Sequence, residues 1–186
     1  MGVILTLISH AATVATRQAA FPLDEPLEQR AQGQAAALAG QLRRVDRAIT
    51  SPALRARQTA AALGLQASVV SELRDLDCGR WAGRTLADVT SSNPDDVLAW
   101  TRDCTAKPHG GESVTELIER TARWLEAIGP GAARTVAVTH PATLRAALIV
   151  ALRAEAAAFW RIDVAPLCRL RLRSNAGGWT LLSFEP

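Results

Sequence analysis

Lysine occurs once in these 186 residues, as Lys107, so the positive charge of the chain is carried almost wholly by arginine. The excess is small, a formal +3 at pH 7, and no basic run is dense enough for a nucleic-acid footprint, so no nucleic-acid partner is expected. The three cysteines, Cys78, Cys104 and Cys168, include no C-x-x-C pair and leave one unmatched. That usage speaks against a zinc site and a disulfide frame and for a reducing compartment, so the expected location is cytoplasmic. The longest apolar run, Ala146 to Leu152, is too short for a bilayer, and no charged segment precedes the apolar start. Neither a membrane partner nor a signal peptide is expected. The glycine-rich nucleotide cradles G-x-x-x-x-G-K-S/T and G-x-G-x-x-G are absent. H-x-H and H-E-x-x-H are absent as well, so no metal and no other cofactor is expected.

What is present reads as a single α/β domain, residues 1–186. Apolar residues make up 48% and charged residues 21%, an ordinary globular balance. A chain this long buries roughly 70% of its unfolded surface, enough for a core without staples. Val3 to Ile8 is aliphatic and β-branched and predicts a strand buried on both faces. It stops at Ser9-His10. Asp24 is the expected cap of a helix reaching about Arg44, with Pro26 in its first turn. Arg47 to Thr50 and Gln66 to Val70 predict the next strands, separated by a helix from Ala53 to Leu63. Helical segments are expected from Leu86 to Cys104, broken near Pro94. Ser113-Val-Thr-Glu116 is a capping box opening a long helix that Gly129-Pro-Gly131 should end. Residues 84–113 are expected to form a lid-like insertion. Thr135 to Thr139 predicts a fourth strand, ending at His140, and Pro141 opens another helix. Residues 159–163, 167–173 and 179–184 alternate like closing strands, the last two as a hairpin. Strands alternating with helices predict a three-layer sandwich, a mostly parallel sheet with helices on both faces.

Chemistry-bearing residues follow successive predicted strands: His10, Arg55, Asp75 and His140. Ligands of open α/β sheets bind at the carboxyl ends of strands. Two imidazoles, a guanidinium and a carboxyl at one sheet edge suit phosphoryl transfer. One neutral imidazole can attack phosphorus, while cations neutralise equatorial oxygens and the carboxyl protonates the leaving oxygen.

The motifs carry a resemblance. Ser9-His10-Ala11-Ala12-Thr13 stands where a strand ends Arg-His-Gly in the histidine phosphatase, or phosphoglycerate mutase-like, superfamily. Ser51-Pro-Ala-Leu-Arg55-Ala-Arg-Gln-Thr59-Ala60 matches its S-P-x-x-R-A-x-x-T-A motif in full. Leu73-Arg-Asp75 through Gly79-Arg-Trp81-Ala-Gly83 resembles its L-x-E-x-x-x-G-x-W-x-G loop, Gly110-Gly-Glu-Ser113 its G-G-E-S stretch, and Thr139-His140-Pro141 its S-H-G ending. The resemblance implies a phosphoglycerate mutase-like fold with His10 as the phosphorylated nucleophile, Arg55 and His140 on the phosphate, and Asp75 as general acid. His140 thereby belongs to the catalytic set as well, Thr13 joins the phosphate pocket, and Glu112 and Ser113 lie near the substrate mouth. His109 stands beside that mouth but matches no motif and reads as a surface loop residue. The missing mutase insertion implies hydrolysis rather than mutase chemistry, so the expected activity is that of a phosphomonoesterase on a small phosphorylated metabolite, metal-independent because ligand spacing beyond the two histidines is lacking. Ser9 replaces the family arginine, which opens an alternative: a degenerate member that binds a phosphorylated ligand or partner without turnover. Arg17, seven residues after His10, is the expected substitute cation.

Overall fold

The computed structural model describes residues 2–42, 44–128 and 134–185. In chain order the elements are β1 (Ile4–Ser9), α1 (Val14–Arg17), α2 (Gln29–Leu38), β2 (Arg47–Thr50), α3 (Leu54–Ala62) and β3 (Ser68–Val69). There follow α4 (Leu86–Ser92), α5 (Pro94–Arg102), α6 (Val114–Ala127), β4 (Arg134–Thr139), α7 (Pro141–Leu152), β5 (Arg169–Asn175) and β6 (Gly178–Glu185). The six strands form one sheet in the order β3-β2-β4-β1-β5-β6. β3, β2, β4 and β1 run parallel, and the β5–β6 hairpin joins antiparallel to β1.

Alternation along the central strands sorts side chains between two helical layers. Leu5 and Leu7 of β1, Ile49 of β2 and Ala137 of β4 pack with Trp124, Leu125, Leu144 and Leu148 of α6 and α7. Val136 and Val138, one residue out of phase, pack with Ile8 and with Ala56 and Ala60 of α3. The sheet is thus covered on both faces, which is why β1 and β4 read as continuous apolar runs. A further cluster gathers Phe21, Trp81, Val89 and Trp100, fixing α4 and α5 beside the carboxyl edge of the sheet. Among the described residues no helix is long and apolar enough to cross a membrane.

Three local expectations are corrected. Residues 159–163 are not a strand: Ala156–Arg161 is a 3₁₀ helix. Phe159 and Ile162 both join the aromatic cluster, and a spacing of three is what a 3₁₀ turn places on one side. Asp24 does not cap the helix after it. α2 begins only at Gln29, and Asp24 Oδ1 accepts the N–H of Leu54 at 2.7 Å, capping the first turn of α3 instead. α2 stops at Leu38 and continues only as a 3₁₀ turn, Ala39–Gln41. The stop signal Gly129-Pro-Gly131 lies outside the described residues.

Candidate active site

Register alone brings the two histidines together. β1 and β4 pair in parallel with Ser9 opposite Thr139, so His10 and His140 are the next residues on neighbouring strands, and the His10 N–H donates to the Thr139 carbonyl at 2.8 Å. Their rings meet edge to face with centroids 5.3 Å apart. β2 pairs with β4 on the other side, and the Ser51 N–H continues that ladder to the Val138 carbonyl. Ser51 Oγ then lies 2.7 Å from His140 Nε2 while accepting the Ala53 N–H at 3.2 Å. With the Ser51 hydroxyl donating to Nε2, His140 Nδ1 carries the proton that faces Asp75.

Asp75 reaches the cluster through a braced loop. Thr139 Oγ1 donates to the Leu73 carbonyl at 2.8 Å, tying the loop to the end of β4. Across from it, Glu112 N donates to Asp77 O at 2.8 Å and Arg80 N to His109 O at 3.0 Å. The two segments run so close that a Cβ on Gly79 would strike the His109 carbonyl, and one on Gly111 the Asp77 carbonyl. Gly79 also has φ +47°, so both demands fall on it.

Arg55, in the first turn of α3 and only 3% exposed, donates from Nη2 to Asp75 Oδ2 at 2.7 Å and from Nη1 to the Leu23 carbonyl at 2.7 Å. His140 Nδ1 lies 3.1 Å from the same Asp75 oxygen, off the line of a hydrogen bond. Burial pushes the Asp75 carboxyl up, but His140, Arg55 and His10 outweigh it and hold it well below the usual carboxylate range. His10 Nδ1 stands 2.8 Å from the Ala11 carbonyl. A carbonyl can only accept, so Nδ1 carries the proton and Nε2 keeps its lone pair. Burial first, and then the neighbouring His140, lower the His10 pKa to about 4. The imidazole is therefore neutral at pH 7.

His10, Asp75 and His140 place their ligand atoms within 4.8 Å of one another, close enough for a metal. The chemistry of the donor set is poor for one. Asp75 Oδ2 is already held by the Arg55 guanidinium, whose charge would repel a dication.

His10 and Asp75 open into a cavity of about 410 Å³, also lined by Thr13, Phe21, Trp100 and Arg145. Thr13 is nonetheless committed as the N-cap of α1, accepting the Thr16 N–H at 3.2 Å. Arg17 does not reach the site: its side chain is 62% exposed and its Nε pairs with Glu28 Oε1 at 3.0 Å on the surface. Ser9 is fully buried and its hydroxyl donates to the Ala165 carbonyl at 2.7 Å, away from the cavity lining. His109 is neither a surface residue nor part of that lining. It is 2% exposed, accepts the Gly111 N–H on Nδ1 at 3.0 Å and packs edge to face on Trp81 and Trp100. Glu112 turns away from the cavity into a two-pronged pair with Arg120, 2.8 and 2.7 Å long. Ser113 caps α6 in the expected box with Glu116 and does not line the cavity.

Four contributors escape a reading of chemistry-bearing residues at strand ends. Ser51 and Thr59 both lie in the S-P-x-x-R-A-x-x-T-A motif, which was their signal. Thr59 Oγ1 accepts the Ala11 N–H at 3.0 Å and donates to the Arg55 carbonyl at 2.7 Å, joining the residue after His10 to the base of Arg55. Arg120 sits in an amphipathic helix with other charged residues and Arg145 in an apolar one, and nothing in their spacing sets them apart.

The chain belongs to the histidine phosphatase superfamily (branch 1), whose family model matches residues 5–185. A bifunctional protein of Mycobacterium tuberculosis is 31% identical over 140 residues, 70% of this chain and 38% of that protein. Glucosyl-3-phosphoglycerate phosphatase of the same organism is 33% identical over 150 residues, 73% of this chain and 63% of that enzyme. The chain thus spans less than two thirds of the length of both curated relatives. The structure of a mycobacterial glucosyl-3-phosphoglycerate phosphatase complexed with VO3 superposes with a TM-score of 0.86 at 27% identity, covering 98% of each chain.

Proposed function

We propose that the protein hydrolyses a small phosphomonoester through a phosphohistidine on His10, without a metal or other cofactor. The observation that carries the reading is the state of His10: neutral, with Nδ1–H fixed by the Ala11 carbonyl and the Nε2 lone pair left for attack. In this reading Arg55 and His140 receive the equatorial oxygens of the phosphoryl group. His10 Nε2 forms a bond to phosphorus as the ester P–O bond breaks, and Asp75 gives its proton to the departing alkoxide. Water then attacks phosphorus, the P–N bond breaks, Asp75 takes the water proton, and inorganic phosphate leaves. A phosphate seated between Arg55 and His140 takes the donors that otherwise hold Asp75 and sets negative charge beside it. Both changes favour the protonated carboxyl that the first step needs. Residues 84–113, through Trp100, form the cover of the pocket.

A second reading, a member that binds a phosphorylated ligand without turnover, is favoured by Ser9, whose hydroxyl is already spent on Ala165. One experiment separates them. The protein is incubated with a panel of phosphomonoesters, and released phosphate and phosphate on His10 are followed, the latter by mass spectrometry. Release with a transient phosphohistidine supports the first reading. Binding without either supports the second.

Two further outcomes are expected. With excess chelator, kcat/KM on the best ester stays within about twofold, since the proposed charge stabilisation comes from Arg55 and His140. Loss of activity restored by one divalent ion would overturn metal independence. The pH profile follows from the lowered His10 pKa. Attack needs neutral imidazole, so the acid limb of kcat/KM belongs near pH 4 rather than at an ordinary histidine's 6.5. The substrate's own ionisation, near pH of about 6, is corrected for by using esters of different second pKa. The sign for stability is opposite to a salt-bridged histidine. The unfolded chain takes up a proton at 6.5 that folded His10 refuses until about 4, so stability is lost as pH falls through that window. A limb at 6.5 that does not move with the substrate would sink the assignment.

A further inference from the structure

The reacting cluster supplies only His10 and Asp75 to the lining of the cavity. His140 and Arg55 meet Asp75 at 3.1 and 2.7 Å and His10 meets His140 edge to face, and Arg145 takes part in none of these contacts. Among the described residues no carboxylate forms an ion pair with Arg145. Arg145 lies on α7 one turn after Pro141, and Pro141, Ala142 and Arg145 line the cavity together as positions i, i+1 and i+4 of one helix face. Its guanidinium carbon stands 5.4 Å from the centre of the Phe159 ring, which presses edge-on against Trp160, itself packed on Trp100. This end of the cavity is an aromatic wall with one cation set into it.

That cation is poorly satisfied. Arg145 Nε is out of solvent and meets no acceptor among the described residues, and the same holds for Nε1 of Trp100 on the same wall. A buried donor without a partner is destabilising, the more so when it is charged. Cation–π contact with Phe159 offsets part of that but supplies no acceptor. Nε, being out of solvent, is closed to a ligand as well, but the outer Nη groups hold no carboxylate among the described residues and can donate to one in the cavity. A guanidinium presents parallel N–H groups that match the two oxygens of a carboxylate, and a single cation balances a single negative charge rather than a dianion.

We propose that Arg145 is a specificity-determining residue that receives a carboxylate at the end of the substrate remote from the phosphate, with a flat or apolar body of the substrate lying against Phe159, Trp160 and Trp100. The inference rests on the phosphatase reading of the same pocket. It assigns the substrate class as carboxylated phosphomonoesters.

The test uses a matched pair, phenyl phosphate and 3-carboxyphenyl phosphate, and reads the ratio of their kcat/KM values, in which general damage to a variant cancels. The wild-type ratio is expected to favour the carboxylated ester by about tenfold or more, the worth of one charged hydrogen-bonded pair. In Arg145→Gln the ratio should fall to near one, and Arg145→Lys, which keeps charge without the fork, should fall between. A wild-type ratio near one, or a ratio that Arg145→Gln leaves intact, overturns the inference while the phosphatase reading stands. If neither ester is hydrolysed, the phosphatase reading fails, and quenching of tryptophan fluorescence by the two esters supplies the ratio as affinities. Equal or absent quenching then overturns the role of Arg145 too, whereas a carboxylate preference erased by Arg145→Gln upholds it.

Discussion

Replacing His10 with glutamine is expected to lower kcat/KM on the best phosphomonoester by about 10⁴-fold or more and to abolish acid-labile phosphate on the protein. Glutamine keeps a polar side chain of similar reach, its amide nitrogen standing at the place of His10 Nε2, one bond farther out than the Nδ1 that meets the Ala11 carbonyl. It has no basic nitrogen, so it cannot attack phosphorus. The loss corresponds to about 5.5 kcal/mol of transition-state stabilisation, more than any single positioning contact in the site supplies. On the proposed mechanism the phosphate rests on Arg55 and His140, so binding should survive the loss of the nucleophile. An unreacted ester should therefore still protect the His10→Gln protein against thermal unfolding. Substantial turnover in this variant, with phosphate found on another residue, would remove His10 from the mechanism. Loss of turnover together with loss of the ordinary unfolding transition would call for His10→Asn as the second variant.

The central architecture was legible because it is written in short-range patterns that tertiary contacts reinforce. β1 and β4 are apolar on both faces because helices cover both, and each ends at a histidine where the sheet ends. Their parallel pairing could not be read from either strand alone, yet it is what brings His10 and His140 within 5.3 Å, centre to centre. Asp24 shows the opposite case. It has the right chemistry for an N-cap and does cap a helix, but one that begins thirty residues later, at Leu54. Capping propensity identifies a residue ready to accept an N–H, and only the fold decides whose. Arg17 failed as the substitute cation for a similar reason: Glu28 lies within reach and takes the guanidinium at the surface. His109 carries a polar ring in a glycine-rich loop and reads as exposed, but Trp81 and Trp100 close over it. Arg145 and Arg120 were invisible because an arginine in a helix is ordinarily solvated. Their meaning comes from what the fold puts next to them.

Arg120 gives the largest expected effect on stability. It sits on α6 with its side chain 7% exposed, and its Nε and Nη2 hold both oxygens of Glu112, itself 10% exposed. Nη1 donates to the carbonyls of Glu72 and Arg74, the latter at 3.1 Å, and Nη2 also reaches that of Asp75 at 3.3 Å. One side chain thus fixes the segment that carries Asp75 and the segment that crosses it. Arg120→Ala leaves a buried carboxylate and three carbonyls without their donor. Breaking such a pair from one side costs about 3–5 kcal/mol. Arg74 also reaches Glu112, at 3.4 Å, but its side chain is half exposed, and an exposed pair of that kind is worth at most about 1 kcal/mol. It cannot make up the deficit. For a domain of this length the melting temperature should drop by roughly 6–20 °C. Adding Glu112→Gln to Arg120→Ala removes the stranded charge while leaving the orphaned carbonyls, so the double variant should regain about 1–2 kcal/mol over Arg120→Ala alone. The Asp75 loop should loosen in both, and kcat/KM should fall in both even at temperatures where the fold is intact, with the fall not recovered by Glu112→Gln. A loss below about 1 kcal/mol in Arg120→Ala, measured by denaturant unfolding, would show the pair to be dispensable and the loop to be held by its backbone hydrogen bonds and close glycine crossing instead.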